Sequence, residues 1–140
     1  MSFTAILAPL FVQVALTFAL LFWMGALRLQ SVKAGTVHVR DIALGQPNWT
    51  PQAMQVANAF HNQYQLPVLY YLLVILILVV APATPFMVPL SWAFIATRLL
   101  HALIYVTTNN VPRRFFAYTA GLAILCLMWL ILFAEIVFGL

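Results

Sequence analysis

The chain has 140 residues, of which 66% are hydrophobic and 6% charged, and its mean hydropathy is +1.06. Soluble domains carry about 25% charged residues, so this composition excludes a water-exposed globule, and its many apolar residues exclude intrinsic disorder. The net charge is +4, but six basic residues are too few for a nucleic-acid interface. A single cysteine, Cys126, excludes an internal disulfide framework and a zinc site built on thiolates.

Four apolar segments follow one another along the chain. About 20 helical residues cross a hydrocarbon core of roughly 30 Å, and each segment reaches that length. Backbone groups in lipid must be hydrogen-bonded within the segment, which favours helices. The sequence therefore predicts an all-α, integral membrane, antiparallel four-helix bundle formed by a single domain, 1–140. Its helices are expected at about 4–29, 51–80, 87–107 and 112–139, with a cytoplasmic loop at 30–50.

The second predicted helix has a clear start signal and one internal break signal. Thr50 followed by Pro51 is typical of an N-cap with proline in the first turn. Pro67 lies where the polar first part gives way to an apolar run, so we expect a kink there. A short uncharged turn is predicted at 81–85 and a second, basic turn at 109–114.

The basic residues lie mainly at two of the three connections. Arg28, Lys33 and Arg40 follow the first segment, and Arg113 and Arg114 precede the last one. Positive charge marks cytoplasmic loops. We therefore expect the first and third connections in the cytoplasm and both termini on the other side, which is periplasmic in the expected location, a bacterial inner membrane.

An amide-rich stripe lies on the second predicted helix. Gln55, Asn58, Asn62 and Gln65 are three, four and three residues apart, so in a continuous helix they fall within an arc of roughly 80°. One interpretation is that these amides hydrogen-bond neighbouring helices. The other is a polar ligand site that opens to the cytoplasm.

Arg98, His101 and Tyr105 fall on one face of the third predicted helix, within about 60° of one another. An arginine inside a membrane costs on the order of 2.5 to 3.5 kcal/mol on insertion scales, so Arg98 is expected to face the interior. It could pair with a carboxylate such as Glu135 or with backbone carbonyls, or it could belong to a ligand site. An interior histidine is favoured over a metal ligand for His101, and no metal site is predicted.

Arg114 and Tyr118 are four residues apart at the start of the last predicted helix. Given the helix directions, they fall near the same leaflet boundary as Tyr105, Asn62 and Gln65. This group is cationic and rich in amides, which suits a small anionic ligand with peptide groups. A cation there would also raise the thiolate fraction of a bound thiol.

The pattern Arg98-x-x-His101-x-x-x-Tyr105, followed by Arg114 and Tyr118, resembles that of microsomal prostaglandin E synthases. These belong to the MAPEG superfamily, the membrane-associated proteins of eicosanoid and glutathione metabolism. The segment from Asn62 to Pro67, Asn-Gln-Tyr-Gln-Leu-Pro, is similar to the bacterial branch of that superfamily. The resemblance extends over essentially the whole chain.

The resemblance implies a homotrimer that binds glutathione between neighbouring subunits on the cytoplasmic side. Arg114 would be the catalytic residue that stabilises the glutathione thiolate. The implied ligand-binding residues are Asn58, Asn62, Gln65, Arg98, His101, Tyr105 and Tyr118. Two of them depart from the family pattern, because the family has arginine at position 58 and glutamate at position 65.

Two functions are therefore open. The first is a glutathione-dependent transferase or peroxidase that acts on lipophilic electrophiles, which the register of Arg98, His101, Tyr105 and Arg114 favours. The second is a non-catalytic scaffold or accessory subunit of a larger membrane complex. The neutral amides at positions 58 and 65 favour this second function, because charge-assisted hydrogen bonds are roughly twice as strong as neutral ones.

Overall fold

The computed structural model describes residues 3–80 and 85–139, and these contain helices but no strand. Four stretches of the described residues are long and apolar enough to cross a membrane, and the second comprises two consecutive helices. The predicted all-α fold with four membrane-length spans is confirmed. Residues 81–84 of the predicted turn lie outside the described residues. The helices are α1 (Phe3–Lys33), α2 (Pro51–His61), α3 (Leu66–Val80), α4 (Met87–Val106) and α5 (Val111–Phe138).

Capping residues set the helix ends that face the two polar connections. Oγ1 of Thr50 accepts a hydrogen bond from the backbone N–H of Ala53 at 3.4 Å, which confirms the predicted cap of α2. Asn110 caps α5 in the same way, since its Oδ1 accepts from the backbone N–H of Arg113 at 3.0 Å. Helix α1 continues past the expected end at residue 29 and stops before Gly35, whose φ of 72° reverses the chain.

A short 3-10 turn, Asn62–Tyr64, separates α2 from α3. Pro67 lacks an N–H, and its ring would clash with the carbonyl of Gln63 in a continuous α-helix. The interruption therefore lies just before the expected kink position. Gln65, with φ −101° and ψ −106°, is the residue at which the helical path is lost.

Two apolar cores fill the bundle and show that α1 runs antiparallel to the second span, which comprises α2 and α3. The outer core includes Ile6 of α1 and Ile77 of α3, while the core nearer the polar loop includes Leu20 of α1 and Val56 of α2. Between the two cores lies a belt of buried polar side chains, which consists of Gln13, Gln63, Arg98 and His101.

Helices α4 and α5 approach closely at Gly121. A Cβ atom at this position would lie 2.6 Å from Oγ1 of Thr97 and 3.8 Å from Cδ of Arg98. Gly121 is buried, whereas large apolar side chains such as Phe22 and Leu130 lie exposed on the outside of the bundle. Such an exterior suits lipid, because apolar exposure on this scale is unfavourable in water.

Candidate functional site

The polar residues singled out in the sequence come from three elements. The turn after α2 supplies Asn62, the second half of α4 supplies Arg98, and the first turns of α5 supply Arg114. Because α4 and α5 are joined by a short turn, the end of one helix lies beside the beginning of the other. The residues that contact one another here are Asn62, Gln65, Arg98, His101, Tyr105, Arg114 and Tyr118, and we call them the arginine–tyrosine cluster.

Arg98 is the centre of this cluster and is fully buried. Its Nη2 donates to Oδ1 of Asn62 and lies 3.4 Å from Nδ1 of His101. Its Cζ lies 5.6 Å from the ring centroid of Tyr118, within the range of a cation–π contact. Nε and Nη1 have no hydrogen-bond partner within the described residues. A buried guanidinium with two unpaired nitrogens can bind an anionic or acceptor-rich group.

Glu135 is not the partner of Arg98, which corrects one of the alternatives drawn from the sequence. Gly121 is the α5 residue level with Arg98, so Glu135 lies about 20 Å further along α5 at 1.5 Å per residue. The ion pair found within the described residues joins Arg40 to Asp41 at 3.6 Å, in the polar loop. Arg98 instead meets a neutral amide.

His101 is buried between the two tyrosines of the cluster. Its ring centroid lies 5.6 Å from that of Tyr105 and 5.9 Å from that of Tyr118. Within the described residues no group of three or more His, Cys, Asp or Glu side chains could hold a metal ion. His101 therefore packs as an interior histidine against aromatic rings and the Arg98 guanidinium.

Arg114 is half-buried at the start of α5. Its Cζ lies 3.9 Å above the ring of Tyr105, and its Nη1 donates to Oδ1 of Asn109. These two contacts hold the guanidinium beside the tyrosine and leave other N–H groups of the same arginine as donors for a ligand. The sequence did not single out Asn109. Asn109 has a left-handed φ of 49°, and the sequence signal that could have found it is an asparagine in a short predicted turn, because asparagine is enriched at positive φ.

The amide stripe predicted on one helical face divides in the structure. Nδ2 of Asn62 donates to Oε1 of Gln65 at 3.0 Å, so these two amides join the cluster. Asn58 is exposed one turn earlier in α2, and its side chain makes no hydrogen bond to any residue that the structure describes. Gln55 is half-buried and likewise outside the cluster.

A buried amide pair, Gln13 and Gln63, supports the turn that carries Asn62. Nε2 of Gln13 donates to Oε1 of Gln63 at 2.8 Å, and Nε2 of Gln63 donates to the carbonyl of Ala59 at 2.8 Å. Sequence reasoning missed both glutamines. The available signal was Gln13 itself, an isolated amide inside an apolar span, because such residues usually face another helix.

An apolar groove of about 360 Å³ lies between α1 and α4 beside the cluster. Its α4 wall includes Leu99 and Ala102, which directly follow Arg98 and His101 in the sequence. Successive helical residues are about 100° apart, so the groove and the cluster occupy adjacent faces of α4. A lipophilic molecule in this groove would lie against the outside of the bundle.

These features define a polytopic membrane protein with a buried cationic and aromatic cluster at one end of its helices. The model of the MAPEG family matches residues 6–134, nearly the whole chain, and the chain belongs to that family. The family resemblance recognised in the sequence is therefore confirmed, while the assignment to its bacterial branch stays a prediction. Comparisons with curated proteins and with solved structures gave no match.

Proposed function

We propose that this membrane protein of the MAPEG family is a transferase or peroxidase that uses glutathione or a related anionic thiol against lipophilic electrophiles. The observation that carries the proposal is the convergence of Arg98, His101 and Tyr105 of α4 with Arg114 and Tyr118 of α5. Structural needs alone do not call for two guanidinium groups among three aromatic rings. They provide positive charge beside the apolar groove between α1 and α4.

Arg114 is the residue that would activate the thiol. The thiolate is the nucleophilic form of a thiol, and a guanidinium beside it raises the thiolate fraction at neutral pH. Tyr105 and Asn109 fix the position of Arg114, which leaves its remaining N–H groups for the ligand. Asn62, Gln65 and Arg98 would hold the polar part of the thiol substrate, and the electrophile would approach from the bilayer.

The decisive experiment compares two adjacent arginines. Arg114→Ala is expected to lower thiolate formation from bound glutathione by about tenfold or more, since hydrogen bonds to charged groups contribute about 1.5 to 3 kcal/mol. Arg113 is exposed at the next position and serves as the matched control, so Arg113→Ala should leave the signal unchanged. Thiolate is followed by its ultraviolet absorbance, and transfer by loss of thiol in the presence of a lipophilic electrophile.

A scaffold without catalysis, working in a larger membrane complex, is the second candidate. The internal hydrogen bonds from Arg98 to Asn62 and from Asn62 to Gln65 favour it, because such a network also stabilises a bundle without any ligand. If the unmodified protein binds neither glutathione nor its anionic relatives at millimolar concentration, the enzymatic proposal is wrong and the scaffold is favoured.

A further inference from the structure

The hydrogen bonds around Arg98 have a fixed direction. A guanidinium can only donate, so the side-chain oxygen of Asn62 must face Arg98. The Nδ2 group of Asn62 then donates to Oε1 of Gln65 at 3.0 Å. The oxygen of each amide therefore already accepts a hydrogen bond inside the protein, and the exposed end of the chain of hydrogen bonds carries the Nε2 donor of Gln65.

The contact between Arg98 and His101 also has a fixed direction, because a guanidinium can only donate. Nδ1 of His101 lies 3.4 Å from Nη2 of Arg98, so this contact places the lone pair at Nδ1 and the proton at Nε2. Nε and Nη1 of Arg98 are buried donors without a partner among the described residues. The unpaired N–H groups of Arg98, His101 and Gln65 thus offer donors to a ligand, and the Gln65 oxygen beside them is an uncharged acceptor.

An ammonium group would find little to bind in this site. The faces of Tyr105 and Tyr118 already carry guanidinium groups, at 3.9 Å and 5.6 Å from the ring centroids. Of the two acidic residues in the sequence, Asp41 pairs with Arg40 in the polar loop and Glu135 lies far along α5. The remaining acceptors in the cluster are uncharged hydroxyl and amide oxygens, which do not offset the desolvation of a charged amine.

We propose that the arginine–tyrosine cluster selects anionic ligands that bear carboxylate or carbonyl acceptors and no ammonium group. For a thiol substrate this means a peptide thiol with a blocked or missing α-amine in preference to zwitterionic glutathione. The inference rests on the proposed function in one respect only, namely that the ligand is a thiol. The selection itself follows from the unpaired donors of the cluster and from the distance of both acidic residues from it.

The test measures binding of three thiols to the full chain in lipid nanodiscs by titration calorimetry. These are glutathione, N-acetylglutathione, and N-acetylglutathione with its glycine carboxylate amidated, which has the same net charge as glutathione. We expect both acetylated thiols to bind tighter than glutathione by about tenfold or more, since a charged group left unpaired is penalised more than a neutral one. The amidated compound separates loss of the ammonium group from gain of negative charge.

One substitution should reverse the preference for acetylated thiols over glutathione. Gln65→Glu places a charged acceptor at the exposed end of the network, so glutathione should become the tighter ligand. Gln55→Glu is the matched control, because Gln55 is a half-buried glutamine of the preceding helix that lies outside the cluster. This variant should bind the three thiols in the same order of affinity as the unmodified chain. Elution volume and melting temperature verify that each variant is folded. The affinities of the unmodified chain for the three thiols test the selection against ammonium even if a variant fails to fold.

The outcomes separate this inference from the proposed function. If glutathione binds as tightly as the amidated acetyl compound or tighter, the selection against ammonium is wrong, while the proposed thiol chemistry stands. If none of the three thiols binds, the proposed function is overturned and this inference with it.

Discussion

Arg98 in the second half of α4 donates through Nη2 to Oδ1 of Asn62, in the turn between α2 and α3. The bond joins a buried charge to the one segment of the second span that is not α-helical. It therefore fixes both the position of the guanidinium and the direction of the hydrogen bonds that surround it.

Removing the acceptor should destabilise the bundle. Asn62→Ala leaves Arg98 without its amide partner, so we expect the free energy of unfolding to fall by about 1.5 to 3 kcal/mol, the usual contribution of a hydrogen bond to a charged group. Asn62→Asp keeps an acceptor and should retain most of the stability. Unfolding in detergent measures the effect. Asn58→Ala, at an exposed asparagine of α2, is the control and should change stability by less than about 0.5 kcal/mol.

Gln13 and Gln63 are expected to be energetically coupled through the hydrogen bond between their side chains. Both side chains are buried, and Gln13 donates to Gln63 at 2.8 Å. A double-mutant cycle with Gln13→Leu and Gln63→Leu should give a coupling of about 0.6 kcal/mol, and at most about 1.7, the range measured for polar contacts between membrane helices. Strictly additive effects on the unfolding free energy would contradict the contact.

Gly121 should tolerate no side chain without adjustment. In Gly121→Ala the new Cβ would lie 2.6 Å from Oγ1 of Thr97, so we expect a loss of about 1 to 3 kcal/mol from overpacking. Thr97→Ala removes the opposing oxygen and should recover most of that loss. A Cβ added at Gly25 would meet nothing within 4 Å, so Gly25→Ala is the control. Equal melting temperatures for Gly121→Ala and Gly25→Ala would contradict the prediction and would show that α4 and α5 can move apart at little cost.

Topology can be read from cysteine labelling on a Cys126→Ala background. Leu44 lies in the polar loop and is 89% exposed, and Phe138 lies at the far end of α5. Because basic residues flank the loop, we expect Leu44→Cys to react with an impermeant maleimide only in inverted vesicles and Phe138→Cys only in intact cells. The opposite labelling pattern would overturn the predicted orientation.

A homotrimer is expected because polar side chains remain exposed on a membrane span. Gln65 is exposed and Asn62 is half-buried in the single chain, and amides near the membrane boundary are best satisfied by a neighbouring helix. Native mass spectrometry from mild detergent should therefore give three copies. A monomer at all detergent concentrations would contradict the prediction and would leave these amides to lipid headgroups and water.

Composition and helical periodicity were enough to predict the class of fold and the local geometry within each helix. Long apolar runs can satisfy their backbone in lipid only as helices, so the four spans followed from composition. The faces shared by Arg98, His101 and Tyr105, and by Arg114 and Tyr118, followed from the fixed rotation of about 100° per helical residue. The Thr50 cap was equally local, because its partner is three residues away.

Which distant residues meet depends on how the helices pack, and this the sequence pattern did not contain. The stripe of four amides assumed one continuous helix, but the turn at Asn62–Tyr64 changes the rotation after Asn62, and Asn58, one turn earlier in α2, lies outside the cluster. The choice of Asn62 over Glu135 as the partner of Arg98 depends on the level at which α4 and α5 pack, which Gly121 sets. Contacts of this kind require the relative shifts of whole helices, and periodicity within a single helix carries no information about them.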